Sequence, residues 1–539
     1  MRVEKDSFLK GAFILMVAML ATRVIGVFQR IPLYRIIGSY GAGLYTASYD
    51  FYAIILALSS TGINVAVAKM VAERMALGDE AGARRVFRLS AWLLAFLGLF
   101  FAVLFYAASP FLSGGVFKNA EAYYSFVAVA PAIFLVALMA PYRGWFQGLQ
   151  NMTPYAISLV VEQLGRVFAM LALAYLLLPR GIPWAAAGAA GGAAAGAVAG
   201  LIYLVGAYYR GPSLRRRRER PESRSPGRGT SESVLGIIRQ VIDLSIPISL
   251  ASIVLQLFMI VDTAVVPARL VLAGYTLREA TSAFGQLKTP AFTLVNLPTV
   301  LTSAIFASLV PAISESLALE RMDRIRAQSA AAIRITLLFT IPALVGLYLL
   351  ASEIQALLFN DPSAGVVTRA LSAAIIFLPL QMSSSAILQG MGKMMAPVTN
   401  LVIGGLIKLG ITWLLAANPA FGINGAAYGS VAGFIVAAAL NLTMAQSLIG
   451  AVFNWIEMVV KPIIAAAFMG LGVRALYNWS YLLVPSNSLA TLIGVGAGAA
   501  IYGLVLLLIG GIRAGDLELV PRVGPRLAVI LKKLRLVRD

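Results

Sequence analysis

The sequence predicts an all-α polytopic membrane protein with about fourteen transmembrane helices: two parallel six-helix repeats followed by two C-terminal helices. Three observations lead to this fold class. Only 12% of the 539 residues are charged and 60% are hydrophobic, whereas soluble domains carry roughly 25% charged residues. Apolar runs of about 20 residues recur, each long enough to cross a hydrocarbon core about 30 Å thick. Stretches of the first half also return about 242 residues later.

Hydropathy, interrupted at charge and proline clusters, gives the order of the predicted helices. We place them at about residues 8–31, 43–72, 86–109, 120–148, 153–178, 183–209, 238–266, 286–314, 326–351, 364–391, 397–417, 422–449, 455–477 and 488–511. The sixth contains the small-residue run "AAAGAAGGAAAGAVAGL" from Ala185. Small residues let helix backbones approach closely, so this run predicts helix packing.

An internal repeat divides the chain into two lobes. One offset pairs Gln147 with Gln389, Gly148 with Gly390, Glu73 with Glu315 and Arg166 with Lys408. An even number of helices separates the copies, so both have the same orientation, as in transporters with parallel repeats. The predicted organisation is an N-terminal lobe (1–209), a basic cytoplasmic linker (210–237), a C-terminal lobe (238–449), two further helices (450–511) and a basic cytoplasmic tail (512–539).

The net charge of +20 is concentrated between apolar runs and at the chain ends. "RRRRERPESRSPGR" from Arg215 and "PRLAVILKKLRLVRD" at the end predict cytoplasmic segments, with both termini cytoplasmic, under the positive-inside rule. Anionic membrane lipids are therefore the expected partners, not nucleic acid. The loop with Arg269, Arg278 and Lys288 departs from this distribution, and an amphipathic segment would account for it.

Cysteine and histidine are both absent from the chain. Their absence excludes thiol chemistry, Ser-His-Asp triads and the usual zinc ligand sets. A membrane glycosyltransferase or polymerase normally needs an acidic catalytic loop at the membrane surface. The sequence contains no long acidic loop of this kind. We therefore predict a transporter without catalytic residues, resident metal or cofactor.

Ionisable residues inside the predicted spans are functional candidates, because burying charge in a membrane is costly. Those predicted to bind substrate in a cavity between the lobes are Arg23, Arg30, Arg166, Lys288 and Lys408. Arg23 and Arg30 are seven residues apart and share a face of the first predicted helix, about 10 Å apart along its axis. Arg166 and Lys408 are related by the repeat and are expected to face each other.

Such an excess of positive charge favours an anionic substrate, because guanidinium groups bind phosphate oxygens in a bidentate fork. Asp50, Glu162 and Asp262 are either counter-ions or ion-coupling residues, and coupling to Na⁺, H⁺ or the membrane potential stays open. Glu162 and Arg166 are spaced i, i+4, so a self-contained intrahelical pair is an equal alternative.

The opening "ATRVIGVFQRIPLYRIIGSYGAGLY", followed by "GINVAVAKMVAER", carries a family resemblance. It resembles the polysaccharide-export and stage V sporulation protein B branch of the multidrug/oligosaccharidyl-lipid/polysaccharide (MOP) exporter superfamily, which includes the MurJ-type lipid II flippases. "LPTVLTSAIFASLVPAISE" from Leu297 resembles the eighth helix of that type. The resemblance covers essentially the whole chain.

The resemblance implies a V-shaped, MATE/MurJ-like pair of lobes in the bacterial cytoplasmic membrane, with the last two helices forming a groove for a lipid tail. It implies a monomer that moves an undecaprenyl-pyrophosphate-linked sugar, lipid II, to the outer leaflet by alternating access without ATP. Arg23 matches the first cavity arginine of the "SRVLGFxRD" motif, whereas the second arginine and its aspartate fall on Gln29 and Arg30. The eighth-helix arginine falls on Thr293, with Lys288 as a substitute.

Two other transport functions stay open. The cargo is alternatively another polyprenyl-linked oligosaccharide, such as a capsule, exopolysaccharide or teichoic acid unit. A drug or cation antiporter is disfavoured because the first helix offers arginines and not unpaired carboxylates. The sequence leaves open a role in vegetative growth or in sporulation.

Overall fold

The computed structural model describes residues 8–58, 62–210, 233–450 and 454–511. These residues are almost entirely helical and contain no β-strand, which confirms the predicted all-α class. By internal contacts the chain forms two compact units. The first unit comprises Met1–Val271 and Tyr275–Gly285, and the second comprises Leu272–Gly274 and Gln286–Asp539.

Nine α-helices of the described residues lie wholly or mainly in the first unit. They are α1 (Phe8–Phe28), α2 (Arg30–Leu56), α3 (Gly62–Ala76), α4 (Glu80–Pro110), α5 (Tyr123–Gly148), α6 (Met152–Leu177), α7 (Ile182–Arg210), α8 (Val234–Leu272) and α9 (Leu277–Gln286). A π-helical turn, Phe111–Val116, extends α4, and short 3₁₀ turns precede α5 and follow α6.

Nine further α-helices of the described residues belong to the second unit. They are α10 (Phe292–Ala318), α11 (Met322–Leu349), α12 (Ala351–Phe359), α13 (Ala364–Leu371), α14 (Ala374–Gly390), α15 (Met395–Leu415), α16 (Ile423–Ile449), α17 (Lys461–Leu483) and α18 (Asn487–Leu508). The π-helical segments Leu287–Ala291 and Ile456–Val460 lead into α10 and α17.

Ten helical stretches within the described ranges are long and apolar enough to cross a membrane, or eleven if the bent pair α13–α14 counts as one span. The two members of that pair meet at 43° and occupy the predicted span 364–391. The multi-pass membrane architecture is therefore confirmed, whereas the predicted number of about fourteen spans is not.

The start of the chain differs from the two spans predicted there. The first ends at Phe28 instead of residue 31, and α2 begins two residues later. α2 is broken at Gly38, whose φ of 66° is a conformation that glycine adopts without steric cost. The backbone stays helical through Gln29, so Arg23 and Arg30 lie in one apolar helical stretch, Phe13–Leu56, with a one-residue turn between them.

The small-residue run of α7 packs against α6, as the sequence predicts. A Cβ atom on Gly192 would lie 2.6 Å from Cβ of Met170, and one on Gly196 would lie 2.6 Å from the carbonyl oxygen of Glu162. These distances leave no room for a side chain. The glycines therefore bring α7 onto the helix that carries two of the predicted site residues.

Helix α8 packs in the first unit, although the repeat predicts it as the first helix of the second lobe. Ile237 and Val241 join the buried apolar core formed by residues of α3, α4, α5 and α7. Further along, the Thr263 hydroxyl donates a hydrogen bond to Asp50 of α2 at 2.5 Å. Apolar and polar contacts thus both attach α8 here, and the lobe boundaries drawn from the repeat stay predictions.

Helices α17 and α18 form a hairpin that is attached to the second unit by ionic contacts. At one end Arg474 pairs with Glu353 of α12 at 3.0 Å. At the other, Arg334 of α11 pairs with Glu457 at 3.3 Å and donates to the carbonyl of Gly511, just past α18, at 3.0 Å. The hairpin is therefore an integral part of this unit.

Candidate functional site

Two arginines and one glutamate form a buried cluster between α5 and α6. The carboxylate of Glu162 accepts a hydrogen bond from Arg143 Nη2 at 2.7 Å through one oxygen. Its other oxygen accepts from Nη2 of Arg166, one helical turn further along α6. The three side chains are only 10–14% exposed. We call Arg143, Glu162 and Arg166 the cationic triad.

Polar and aromatic groups surround the cationic triad. Nη1 of Arg166 donates to the hydroxyl of Tyr49 on α2 at 2.8 Å. Nε of Arg143 donates to Ser158 Oγ at 3.2 Å, and its guanidinium lies 5.6 Å from the ring centre of Tyr155. Nε of Arg166 is buried without a hydrogen-bond partner among the described residues. The triad is thus nearly, but not completely, satisfied by its neighbours.

The cationic triad has an excess of positive charge. Two guanidinium groups share one carboxylate, which leaves a formal net charge of +1 on helices long enough to span a membrane. A buried net charge is costly unless it has a partner. The cluster is therefore suited to attract an anion.

The other predicted cations of the first unit lie near the junction of α1 and α2. Arg23 is exposed, and Arg30, the first residue of α2, is half-buried. Between them, the side-chain oxygen of Gln29 accepts a hydrogen bond from Gln163 of α6 at 3.0 Å. This bond fixes the junction beside the helix that carries Glu162 and Arg166.

Lys288 and Lys408 belong to the second unit. Lys288 is buried within the π-helical segment Leu287–Ala291. Lys408 is completely buried on α15, and its carbonyl lies 3.0 Å from the position of a Cβ on Gly429 of α16. The predicted opposition of Arg166 and Lys408 across the lobes stays a prediction.

The two predicted aspartates lie on α2 and α8. Asp50 is half-buried and accepts the hydrogen bond from Thr263, whereas Asp262, next to that threonine, is completely buried. The structure therefore brings the Asp50 carboxylate to the helix that carries Asp262. Roles as counter-ions and as an ion-coupling site are both compatible with this arrangement.

Sequence reasoning missed Arg143 and Tyr49. Arg143 lies inside the predicted span 120–148 but only five residues from its end, where arginines commonly reach the membrane surface. Tyr49 is one of three tyrosines, with Tyr45 and Tyr52, whose rings pack along α2 at centroid distances of 5.7 and 5.4 Å. In the sequence, the helical spacing of these three tyrosines is the pattern that would have indicated Tyr49 as a candidate.

The second unit contains an apolar groove of about 590 Å³ between α11, α14, α16 and α17. Its walls include Leu337, Phe377, Leu442 and Ile463, and Trp455 also lines it. Almost no polar surface lines this groove. It can accept hydrocarbon but offers nothing to a sugar or a phosphate.

A family model described as polysaccharide biosynthesis protein matches residues 8–317, more than half of the chain. The chain belongs to this polysaccharide biosynthesis protein family. This family member is 29% identical over 525 residues to stage V sporulation protein B of Bacillus subtilis, covering 97% of this chain and 99% of the relative. It is 26% identical over 552 residues to the lipid II flippase MurJ of Bacillus subtilis, covering 98% and 99%.

Two solved structures show the fold of this polysaccharide biosynthesis family member. The lipid II flippase MurJ in an inward closed conformation matches with a TM-score of 0.65 at 15% identity, covering 92% of this chain and 98% of that one. An inward-facing multidrug resistance MATE family transporter of the MOP superfamily matches with a TM-score of 0.65 at 17% identity, covering 80% and 95%. The predicted family resemblance is confirmed by the family model and these relatives, and the two solved structures show that the fold is shared.

Proposed function

We propose that this protein is a flippase that moves lipid II, a polyprenyl-pyrophosphate-linked peptidoglycan precursor, from the inner to the outer leaflet of the bacterial cytoplasmic membrane. The observation that carries the proposal is the net positive charge of the cationic triad. A diphosphate offers the oxygens that guanidinium groups bind best. Similarity over almost the whole chain to a protein named lipid II flippase supports this cargo.

The arginines have different roles in this proposal. Arg23 and Arg30 bind the diphosphate directly, because Arg23 matches the first cavity arginine of the family motif and Arg30, at the start of α2, is the next arginine along the chain. Arg166 is held by Glu162 and Tyr49 and contributes mainly through its charge. Lys288 and Lys408 add positive charge from the second unit. Arg143 positions the carboxylate of Glu162, and this carboxylate partly neutralises the charge of Arg166.

The apolar groove is proposed to guide the lipid tail while the headgroup crosses. Moving an isoprenoid chain from lipid into an apolar groove gains little free energy, because both surroundings are equally apolar. The groove therefore directs the tail without holding it, and binding strength comes from the charged headgroup. A tail held tightly would slow release into the outer leaflet.

Asp50 and Asp262 are proposed to link transport to an ion gradient or to the membrane potential. An intramembrane carboxylate responds to a cation, to a proton or to nearby arginines, and each response alters the charge seen by the cargo. We propose that the protein acts as a monomer with both termini in the cytoplasm, without ATP and without catalytic chemistry on the cargo.

The direct test is complementation of a strain whose lipid II flippase is depleted, with an outer-leaflet lipid II probe as the readout. Wild-type protein should restore probe labelling, and Arg23→Ala and Arg30→Ala should each abolish it. Arg35→Ala is the matched control, because Arg35 is exposed on α2 and is expected to reach the membrane surface. All variants must be present in the membrane at equal amounts. Labelling by Arg23→Ala equal to wild type would contradict the binding role.

A second candidate cargo is another polyprenyl-linked oligosaccharide. The family description, polysaccharide biosynthesis protein, favours it, and the identity to stage V sporulation protein B exceeds that to the flippase. Failure to rescue the flippase-depleted strain, together with restored export of a capsule, exopolysaccharide or teichoic acid unit, would select this cargo. Cation uptake by the purified protein in vesicles would instead select an antiporter.

A further inference from the structure

A second pocket, of about 500 Å³, lies wholly within the first unit, at the end where α7 and α9 begin. Its volume falls within the roughly 300–1,000 Å³ of small-molecule binding sites. It differs from the apolar groove because charged and polar side chains line it together with apolar ones. Its walls include Tyr40, Asn119, Glu121, Ile182, Pro183 and Arg278.

Helix α9 supplies one wall of this pocket. Its Ala280 and Phe284 are buried, whereas Arg278 and Glu279 are exposed. A capping box begins the helix, in which the backbone N–H of Thr276 donates to the carboxylate of Glu279 at 2.8 Å. The loop that departs from the positive-inside distribution thus contains an amphipathic helix, and this helix presents Arg278 to the pocket.

Two glycines fix α9 against α2. A Cβ on Gly43 would lie 2.3 Å from the carbonyl oxygen of Thr281, and a Cβ on Gly285 would lie 2.0 Å from the carbonyl oxygen of Ser39. Neither position has room for a side chain. Because the two backbones are in direct contact, the wall that α9 contributes is formed without a ligand.

Tyr40 organises the polar groups of the pocket. Its hydroxyl donates to Oε2 of Glu121 at 2.8 Å and accepts from Nδ2 of Asn119 at 3.2 Å. Asn119 is almost fully buried, and its Nδ2 also donates to Thr281 at 2.9 Å. The guanidinium of Arg278 lies 5.2 Å from the centre of the Tyr40 ring. A carboxylate at the hydroxyl and a guanidinium at the ring therefore occupy different parts of one tyrosine.

Both charged groups keep their capacity to bind a ligand. Within the described ranges, Arg278 makes no hydrogen bond or ion pair, and Oε1 of Glu121 accepts no hydrogen bond. A free guanidinium binds a carboxylate in a bidentate fork, and a free carboxylate oxygen accepts from hydroxyl groups. Ile182 and Pro183 add an apolar surface. A sugar that carries a carboxylate has all three complementary features.

The pocket lies at the membrane surface opposite the basic linker. Ile182, in its wall, begins α7, and Arg210 ends that helix 29 residues later, so the two ends are about 43 Å apart. The linker that follows Arg210 lies outside the described residues, and its composition predicts a cytoplasmic position. Tyr124 and Trp184, whose ring centroids are 4.6 Å apart, adjoin the pocket walls in sequence, and such aromatic residues are typical of membrane interfaces.

We propose that this pocket is an outer-face binding site for a sugar that carries a carboxylate. Arg278 binds the acid, Glu121 accepts hydroxyl groups, and Tyr40 is a positioning residue for both. The proposal rests on the proposed function only for the topology that places this end outside. A free glycan and the headgroup of a lipid-linked cargo that has crossed the membrane share this chemistry, and the experiment distinguishes them.

The test measures binding of D-glucuronate, with D-glucose as the neutral control sugar, to the purified full chain in nanodiscs of neutral lipid. Saturation-transfer NMR titrations give the Kd values. The variants are Arg278→Gln, Glu121→Gln and Arg278→Lys, which keeps the charge but not the bidentate fork. Arg180→Gln is the matched control, because Arg180 is exposed in the turn before α7 and does not line the pocket.

Wild-type protein should bind glucuronate about tenfold more tightly than glucose, because a hydrogen-bonded charge pair forms only with the acid. Arg278→Gln should remove this preference, Arg278→Lys should keep part of it, Glu121→Gln should weaken binding of both sugars, and Arg180→Gln should bind as wild type does. Equal Kd values for the two sugars in wild type, or unchanged glucuronate binding by Arg278→Gln, would overturn the proposal. An equal loss in Arg180→Gln would also overturn it, because unspecific attraction to positive charge would then explain the binding.

Complementation of the flippase-depleted strain by Arg278→Gln identifies the source of the sugar. Reduced outer-leaflet labelling would assign the pocket to the headgroup of the cargo, whereas full labelling together with lost glucuronate binding would assign it to a free glycan. If wild-type protein does not rescue the strain, the proposed lipid II cargo fails, while the sugar titration still decides whether the pocket binds an acidic sugar.

Discussion

Removing the single carboxylate of the cationic triad should destabilise the protein far more than removing an exposed one. Glu162→Gln keeps the side-chain size but leaves the guanidinium groups of Arg143 and Arg166 without a counter-charge. Breaking a buried ion pair by removing one partner costs about 3–5 kcal/mol. Because the three side chains keep 10–14% exposure, we expect the lower end, about 3 kcal/mol, or roughly a 150-fold change in the unfolding equilibrium constant.

The chain offers a matched control for this substitution. Glu80 pairs with Arg84 at the same i, i+4 spacing at 2.9 Å, with side chains 52% and 22% exposed. Glu80→Gln should cost only about 0.5 kcal/mol, because water screens the pair. The measurement is unfolding by sodium dodecyl sulfate in mixed micelles, followed by circular dichroism, for both variants under one set of conditions.

A double variant separates charge from packing. In Arg143→Met/Glu162→Gln one buried cation and the anion are both removed, so the net charge of the cluster is again +1. The loss should be smaller than the sum of the two single losses, because contacting charged residues are not additive. Equal losses for Glu162→Gln and Glu80→Gln, or strict additivity in the double variant, would refute the argument that the carboxylate balances buried cations.

Three further predictions concern packing, hydrogen bonding and pH. Gly192→Leu should abolish recovery of monodisperse protein in size-exclusion chromatography, whereas Gly191→Leu, where the nearest atom to a new Cβ is 3.9 Å away, should be recovered normally. Tyr49→Phe should lower the free energy of unfolding by about 1.5–3 kcal/mol, because it removes a hydrogen bond to a charged group; an unchanged transition would show that Arg166 finds another partner. Hydrogen bonds from Thr276 lower the pKa of Glu279 below its ordinary value of 4.5, so this carboxylate stabilises α9 fully above that value and loses the effect as pH falls through the folded pKa. Amide exchange in α9 should therefore be equally slow, after correction for intrinsic rates, from pH 8 to pH 5 and faster only in more acidic solution; Glu279→Gln should remove this dependence.

The membrane class and much of the helix order follow from sequence because hydrocarbon imposes length and apolarity on every span. The close packing of the small-residue run on α7 was likewise predictable from sequence, since only small residues such as glycine and alanine let two helix backbones approach so closely. Arg143 was not recognised, because an arginine near a predicted helix end has the same local signature whether it reaches the surface or pairs inward. Only the tertiary position of Glu162 distinguishes these cases.

The kink at Gly38 illustrates a second limit. Residues 21–38 read as one apolar run, and the helix continues through Gln29, which keeps helical backbone angles. The sequence does not reveal whether a glycine adopts a positive φ. Local sequence therefore could not predict the kink at Gly38, nor show that Gln29 is held by Gln163 on a helix more than a hundred residues away.

The attachment of the α17–α18 hairpin has a practical consequence for protein engineering. Deleting everything after α16 would take away Glu457 and the Gly511 carbonyl, both partners of the buried Arg334. A shortened chain would therefore remove two partners of a buried cation in α11, at a free-energy cost of a few kcal/mol. Loss of activity in such a truncation would report damage to the second unit as readily as loss of a tail-binding surface. Combining the deletion with Arg334→Met would separate the two effects.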